Sequence, residues 1–280
     1  MAELQLLAWP AGHSLSPVMH GAALQALGLP HTYRALAVEP AGLPAAVAAL
    51  REPDMLGANV SVPHKEAVLP LLDELSPAAR AIGAVNTISN VNGRLSGHNT
   101  DTEGVRALLT AAGVTLSEDA PPRVVLLGAG GAARAALWVL ARRAQTVIFN
   151  RTLSRAEQLA QQFRDHADIR AVSARPETRL LQGADVIINS TAVGMEVDGR
   201  DPDESPLPAA ALPQGAVVID MVYRPARTRL LRDAEAAGLR TQGGLEMLVW
   251  QGAGSLRIWT GLDPDVQVMR EAALRALSGG

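Results

Sequence analysis

Lysine is almost absent from this chain: of its 25 basic residues, 24 are arginines and only Lys65 is a lysine. Arginine stays protonated in proteins, whereas lysine can release its proton when its surroundings lower its pKa. Arginine supplies positive charge at every other basic position. Lys65 is therefore a candidate for acid/base chemistry or for a Schiff base, although the survival of one surface lysine would give the same composition.

Two serines follow the first strand-like segment, within residues 12–17 (GHSLSP). Ser16 and Pro17 predict a helix start, with Ser16 as the N-cap and the proline at the first helical position. The free backbone N–H groups and the dipole at a helix start favour an anion. Ser14 and Ser16 are thus candidates for binding a small carboxylate, unless Ser16 serves only as the cap.

Further polar groups lie in residues 86–87 (NT) and 97–101 (GHNTD), which add amides, hydroxyls and one acid, Asp101. An aspartate beside Lys65 would make a proton-transfer pair. Thr100 or Asp101 would equally suit the cap of the following helix. The chain has no cysteine and its histidines have no metal-ligand spacing, so the sequence predicts no metal site.

A dinucleotide site is indicated by residues 124–133. The apolar run 124–127 (VVLL) leads into Gly128, Gly130 and Ala133, which fit the pattern G-x-G-x-x-G/A. Glycine permits a tight turn and the close approach of a pyrophosphate, which rests on the N-terminus of the following helix. Strand, glycine turn, helix and second strand occur in one unit, which favours a nucleotide site over a bare glycine turn.

The end of the second strand of this unit indicates which cofactor binds. An NAD site usually has Asp or Glu there, to hold the ribose 2′-hydroxyl. This chain has Asn150, Arg151 and Thr152, with Arg155 one turn further on. Because an acid would repel a 2′-phosphate and an arginine can bind it with two charge-assisted hydrogen bonds, the sequence predicts NADP.

These candidate residues need elements to position them, and strand-like and helix-like segments alternate along the whole chain. That pattern is typical of an α/β protein. The segment 116–123 indicates a linker before a second α/β series. We predict a helix from Ser16 to about Gly28, a hairpin with its turn at Asn92 and Gly93, and a last helix from 263 to about 277. The predicted strands are 4–9, 56–62, 124–127, 146–149, 185–189 and 217–220.

Composition narrows the class of protein. The 280 residues suffice for one large or two medium domains, and 48% hydrophobic with 19% charged residues is ordinary for a globular protein. A net charge of -3 gives no electrostatic case for nucleic acid. No apolar stretch approaches a membrane span, and the first residues carry no secretory signal. We therefore expect a cytoplasmic protein with no membrane or nucleic-acid partner.

Nine segments of the chain together resemble the shikimate dehydrogenase family over nearly the whole length. They are residues 12–17, 59–65, 83–87, 97–101, 128–133, 150–152, 189–195, 220–225 and 244–251. Each alone is modest evidence, but nine in this order are highly specific. The resemblance implies the NADPH-dependent reduction of 3-dehydroshikimate to shikimate, in the pathway to chorismate and the aromatic amino acids.

The resemblance also implies roles for single residues. Lys65 and Asp101 would be the catalytic pair and would contact the substrate. The other substrate-binding residues would be Ser14, Ser16, Ser61, Asn86, Tyr223 and Gln251. The cofactor-binding residues would be Gly128, Ala129, Gly130, Gly131, Ala132, Asn150, Arg151, Thr152, Arg155, Met221 and Gly244. Two positions depart from the family pattern, since Ser61 replaces a threonine and Gly21 an asparagine.

For the fold, the resemblance implies two α/β domains with a cleft between them, in a monomer or homodimer. The N-terminal substrate domain would comprise residues 1–103, completed by 240–280. The Rossmann-type NADP-binding domain would comprise residues 104–239.

Three other assignments are compatible with these residues. The first is a quinate/shikimate dehydrogenase that uses NAD, against which Arg151 argues. The second is a non-catalytic NADP-binding regulator, which would not need both Lys65 and Asp101. The third is a methylene-tetrahydrofolate dehydrogenase, and the paired serines 14 and 16 with Gln251 favour a shikimate enzyme over it.

Overall fold

Strands and helices alternate along the chain in the computed structural model, which describes residues 1–176, 178–197, 199 and 201–278. The predicted α/β class is confirmed. The strands are β1 (Glu3–Ala8), β2 (Thr32–Ala37), β3 (Met55–Val60), β4 (Glu74–Leu75), β5 (Thr87–Val91), β6 (Arg94–His98), β7 (Arg123–Leu127), β8 (Gln145–Phe149), β9 (Asp168–Ser173), β10 (Val186–Asn189), β11 (Val217–Asp220) and β12 (Arg240–Gln242). The α-helices are α1 (Ser16–Ala26), α2 (Leu43–Ala49), α3 (Pro77–Ile82), α4 (Asp101–Ala111), α5 (Gly131–Leu140), α6 (Leu153–Phe163), α7 (Thr178–Leu181), α8 (Arg229–Ala236), α9 (Leu245–Thr260) and α10 (Val266–Ser278).

The chain divides into two compact units. The first contains residues 1–104 and the chain from Leu248 onward, and the second runs from Val105 to Met247. Residues 240–247, which the sequence analysis placed with the first domain, belong to the second unit. Strand β12 pairs with β11 and so extends the second sheet, and Met247 packs in a hydrophobic core of the same unit.

The first unit contains a six-stranded sheet in the order β2-β1-β3-β5-β6-β4. Strands β2, β1 and β3 are parallel, whereas β5 runs antiparallel to both β3 and β6. The predicted hairpin is present as β5 and β6, and its turn has φ values of 54° at Asn92 and 82° at Gly93. Two successive positive φ angles are what a tight hairpin turn requires, which explains the Asn-Gly pair.

The second unit contains a six-stranded, entirely parallel sheet in the order β12-β11-β10-β7-β8-β9. Counted from its first strand, this is the order 6-5-4-1-2-3 of the Rossmann fold. Alternate residues of β7 enter separate cores on the two faces: Val124 and Leu126 on one face, Val125 and Leu127 on the other. Burial on both faces explains the unbroken apolar run from which this strand was predicted.

The order of the second sheet fixes where a ligand can bind. Strands β7 and β10 are neighbours in the sheet, and the chain leaves them in opposite directions along it. In open parallel sheets, ligands bind beyond the carboxyl ends of the strands at such a switch point.

Within the described residues, no helix is both long enough and apolar enough to cross a membrane.

Candidate active site

Most of the predicted substrate residues lie at one end of the strands of the first sheet. Strands β1 and β3 are parallel, so the loops that carry Ser14 and Ser61 both follow the carboxyl ends of their strands at this end of the sheet. The antiparallel strand β5 begins there, directly after Asn86, and the backbone N–H of Val60 donates to the carbonyl of Asn86 at 2.8 Å. Strand β6 ends there, three residues before Asp101.

Lys65 and Asp101 meet. The ammonium Nζ of Lys65 lies 2.5 Å from Oδ2 of Asp101, and the two side chains are 16% and 3% exposed. Asp101 is the first residue of α4, where the positive end of the helix dipole stabilises a carboxylate. The geometry thus provides a short, mostly buried ion pair with the lysine as its more accessible member.

Asn86 links this pair to helix α9. Its Nδ2 lies 3.0 Å from Oδ1 of Asp101 and 3.2 Å from Oε1 of Gln251. Its Oδ1 accepts a hydrogen bond of 2.7 Å from the backbone N–H of Thr100. Four predicted residues, Lys65, Asn86, Asp101 and Gln251, are therefore connected by direct polar contacts.

The serines at the start of α1 differ from the expectation in one detail. The residue in the N-cap position is Leu15, and Ser16 is the first helical residue. The hydroxyl of Ser14, two residues earlier, accepts the backbone N–H of Ser16 at 3.2 Å, so Ser14 satisfies one of the otherwise free N–H groups at the start of the helix. Among the described residues, the hydroxyls of Ser16 and Ser61 have no hydrogen-bond partner, which leaves both able to bind a ligand.

The glycine segment after β7 has the geometry that a pyrophosphate requires. Gly128 has a φ of 110°, and a Cβ there would lie 2.6 Å from the hydroxyl of Ser190. At Gly130, the N-cap of the ten-residue helix α5, a Cβ would meet nothing within 4 Å, so the space before the helix is open. Ala133 is fully buried, as close helix–strand packing requires. Together with Ala129, Gly131 and Ala132, these residues fit the phosphates of a dinucleotide.

The residues after β8 fit a 2′-phosphate. Arg151 and Arg155 are both exposed, and among the described residues neither guanidinium has a hydrogen-bond or ion-pair partner. Thr152 is the N-cap of α6, and Nδ2 of Asn150 donates to its carbonyl at 2.7 Å. Two positive charges therefore lie near the N-terminus of α6, where the helix dipole also favours an anion.

Met221 and Gly244 lie together beyond β11. The N–H of Met221 donates to the carbonyl of Asn189 at 2.9 Å, and that of Gly244 donates to the carbonyl of Val222 at 3.1 Å. A Cβ on Gly244 would lie 2.2 Å from the carbonyl oxygen of Met221, so only glycine allows this approach. Tyr223, predicted to bind substrate, follows in the same segment and is half-buried.

Asp220, to which the sequence analysis gave no role, organises the loops around this segment. Its Oδ1 accepts hydrogen bonds of 3.0 Å from Nδ2 of Asn189 and from the N–H of Val222, and its Oδ2 accepts the hydroxyl of Thr228 at 2.7 Å. These bonds join the ends of β10 and β11 to the start of α8. Burial raises the pKa of Asp220 to about 6, because desolvation outweighs the effect of the three hydrogen bonds.

We expect Asp220→Asn to remove a pH-dependent part of the stability. The pKa of Asp220 is about 6 in the folded chain, against an ordinary value of 3.8, so the folded state binds the additional proton between these values. The contribution of Asp220 to the free energy of unfolding is fully present below about pH 4 and is lost as the pH rises through about 6, by roughly 2–3 kcal/mol in total. Urea denaturation of both proteins across this range measures the difference.

The control for this experiment is Asp185→Asn. Asp185 is an exposed aspartate of the same unit, whose carboxylate accepts the backbone N–H of Arg123 at 2.8 Å. The change in stability with pH that this variant shows is the baseline for Asp220→Asn. If the difference between wild type and Asp220→Asn stays constant from pH 4 to 7, give or take about half a kcal/mol, burial does not raise the pKa of Asp220.

The described residues contain no group of three or more His, Asp or Glu side chains that could hold a metal ion.

Gly21, one of the two departures from the family pattern, lies on the exposed face of α1, where a Cβ would meet nothing within 4 Å. The departure therefore leaves the described polar contacts of the site unchanged.

Three family models match successive parts of the chain. They are the shikimate dehydrogenase substrate binding domain over residues 6–88, the shikimate/quinate 5-dehydrogenase model over residues 112–222, and the shikimate 5′-dehydrogenase C-terminal domain over residues 244–274.

Similar proteins match over nearly their full length. An NADP(+) shikimate dehydrogenase of Thermus thermophilus is 45% identical over 280 residues, which cover 99% of each chain. That of Thermococcus kodakarensis is 43% identical over 273 residues, covering 98% of this chain and 96% of the relative. A crystal structure of shikimate 5-dehydrogenase from Thermus thermophilus, in complex with NADP(H) and shikimate, is 44% identical, has a TM-score of 0.87, and matches over 99% of this chain and 100% of the other.

Proposed function

The chain belongs to the shikimate dehydrogenase family, and we propose that it reduces 3-dehydroshikimate to shikimate with NADPH, using Lys65 and Asp101 as its proton-transfer pair. The reaction is a step toward chorismate and the aromatic amino acids. The observation that carries the proposal is the 2.5 Å contact between Nζ of Lys65 and Oδ2 of Asp101, with Asn86 bonded to the same aspartate.

The reaction converts a ketone to an alcohol, which requires a hydride at carbon and a proton at oxygen. Bound NADPH supplies the hydride. The ammonium of Lys65 stabilises the negative charge that develops on the ketone oxygen and provides the proton. Asp101 holds Lys65 in place, shares its proton and binds a substrate hydroxyl. The buried position of the aspartate limits the access of water to the pair.

The remaining residues bind and orient the two reactants. Ser14 and Ser16 hold the substrate carboxylate at the start of α1, and Ser61, Asn86, Tyr223 and Gln251 bind the ring hydroxyls. Gly128, Ala129, Gly130, Gly131 and Ala132 hold the pyrophosphate, whereas Asn150, Arg151, Thr152 and Arg155 hold the adenosine 2′-phosphate. Met221 and Gly244 contact the nicotinamide. The first unit is thus the substrate domain and the second the NADP domain.

A steady-state assay with shikimate and quinate, each with NADP and NAD, tests this proposal. The absorbance of the reduced nicotinamide reports turnover. We expect the highest kcat/KM with shikimate and NADP. Preference for quinate with NAD would favour an NAD-dependent quinate/shikimate dehydrogenase. The absence of turnover with every pair would favour a non-catalytic NADP-binding regulator. Location in the cytoplasm, and assembly as a monomer or homodimer, stay predictions.

We expect the double substitution Ser14→Ala, Ser16→Ala to raise the KM for shikimate by about tenfold or more and to leave the KM for NADP unchanged. Each substitution removes one hydroxyl donor, and a hydrogen bond to a charged group contributes roughly 1.5–3 kcal/mol. Steady-state kinetics with each reactant varied in turn measures both constants. If wild type turns over an analogue without the carboxylate as well as it does shikimate, these serines do not bind a carboxylate.

A further inference from the structure

Ser255 lies beneath the proposed substrate site and is completely buried. It follows Gln251 by one helical turn on α9, so both side chains lie on the same face of that helix. Its hydroxyl is 2.9 Å from Nδ2 of Asn59, 2.8 Å from Oγ1 of Thr87 and 3.2 Å from Oγ1 of Thr100. One side chain on α9 thereby contacts β3, β5 and the residue before α4.

Two of the residues that Ser255 contacts are adjacent in sequence to residues of the site. Thr87 directly follows Asn86, and Thr100 directly precedes Asp101. The hydroxyl of Ser255 also donates to the backbone carbonyl of Gln251 at 3.0 Å. Ser255 is therefore the common neighbour of the segments that carry the polar groups of the site.

The hydrogen-bond chemistry fixes how the hydroxyl is used. Asn59 Nδ2 can only donate and the Gln251 carbonyl can only accept, so the single proton of Ser255 goes to the carbonyl. The hydroxyl of Thr87 lies within hydrogen-bond distance of both Ser255, at 2.8 Å, and Oδ1 of Asn86, at 3.1 Å, and its single proton goes to the nearer Ser255. Oδ1 of Asn86 then accepts the backbone N–H of Thr100 at 2.7 Å. Without the Ser255 hydroxyl, we expect Thr87 to donate to Oδ1 of Asn86 instead and to compete with that bond.

Helix stability does not explain a serine here. Inside a helix, alanine is the better residue, and a serine that bonds the carbonyl four residues earlier slightly destabilises the helix. The docking of α9 on the sheet has its own contacts, since Nε1 of Trp259 donates to the carbonyl of Ile88 at 2.8 Å and Leu256 beside Ser255 is fully buried. The buried hydroxyl is thus needed by the polar network rather than by the helix.

We propose that Ser255 is a positioning residue for the reaction: it orients Asn86 through Thr87 and fixes Gln251 relative to Asp101. This inference rests on the proposed function. Ser255→Ala is expected to lower kcat/KM for shikimate by about tenfold or more, because small displacements of substrate-orienting groups reduce rate strongly. The KM for NADP is expected to stay within about twofold, and the Tm within about 3 °C of wild type.

Thr260→Val is the matched control. Thr260 lies on the same helix and also donates to the carbonyl four residues earlier, that of Leu256, at 2.8 Å. The variant removes a hydroxyl from α9 away from the network, and we expect wild-type kinetics from it. Thr87→Val provides a second test that keeps volume, and it should reproduce the kinetic defect of Ser255→Ala.

A double-mutant cycle with Gln251→Ala distinguishes a positioning role of Ser255 from a non-specific loss of stability. If Ser255 acts through the site, Ser255→Ala should lower kcat/KM for shikimate by a smaller factor in the Gln251→Ala background than in wild type. Wild-type kinetics for Ser255→Ala, additive effects in the cycle, or parallel increases in both KM values with a lower Tm would each overturn the proposal. Wild type that fails to oxidise shikimate with NADP would instead overturn the proposed function.

Discussion

Lys65→Arg is expected to lower kcat by about 10²–10⁴-fold, the range that a positioned proton donor contributes. Arginine keeps the positive charge beside Asp101 but does not readily release a proton, and its planar guanidinium does not fit the place of a compact ammonium. The lysine Nζ lies 2.5 Å from the carboxylate and is mostly buried, so there is little room for the larger group. Steady-state kcat with saturating shikimate and NADP measures the effect.

Arg51→Lys is the matched control, because it makes the reverse exchange in another ion pair of the same unit. Arg51 contacts Asp73 at 2.5 Å, and both side chains are more than one-third exposed. We expect this variant to keep wild-type kcat. A Lys65→Arg enzyme with kcat within a few-fold of wild type would refute proton transfer by Lys65, as would Lys65→Ala if it raised only the KM for shikimate.

Local chemistry pointed to two parts of the candidate site, whereas the roles of most other residues were implied only by the family resemblance. The rarity of lysine singled out Lys65 before any fold was known, and the glycine pattern after an apolar run located the turn at Gly128. Such features depend on residues that are close in sequence and on backbone conformations that few residues adopt. The positive φ at Gly128 and the hairpin turn at Asn92 and Gly93 are the structural counterparts of those patterns.

Strands at the sheet edges were harder to predict. Strand β12 consists of three polar residues, β2 has only a short alternation around Tyr33 and Ala35, and every residue of both strands is exposed or half-buried. An edge strand pairs on one side only and needs no buried face of its own, so the usual signal is absent. Because β12 pairs with β11, the residues directly after 239 lie in the second compact unit.

Long-range polar contacts could not be derived from the sequence. Asn59 and Ser255 are 196 residues apart and hydrogen-bond at 2.9 Å. Each is a single polar residue in a mostly apolar segment, which sequence reasoning treats as a surface position or a local cap. Asp220 was missed for a related reason, because its partner Asn189 becomes a neighbour only when β10 and β11 pair.

Arg151→Ala is expected to raise the KM for NADP by about ten- to over a hundredfold and to leave the KM for NAD nearly unchanged. A charge-assisted contact between guanidinium and phosphate contributes roughly 1.5–3 kcal/mol, which corresponds to that range. Arg151 suits this role because its guanidinium is exposed and has no polar partner among the described residues, so a 2′-phosphate would not have to displace an existing ion pair. Kinetics with each cofactor varied separately measures the two constants.

Arg155→Ala is a second test of 2′-phosphate recognition, and Arg164→Ala is the control. Arg155 is the second unpaired guanidinium near the end of β8 within the described part of the chain, so Arg155→Ala should show the same selectivity for NADP. Arg164, at the other end of α6, contacts Asp165 at 3.4 Å and is 64% exposed. Arg164→Ala removes the same charge from the same unit and should change neither constant. If Arg151→Ala weakened NADP and NAD equally, Arg151 would support the local fold, and the 2′-phosphate would have to be recognised by other residues.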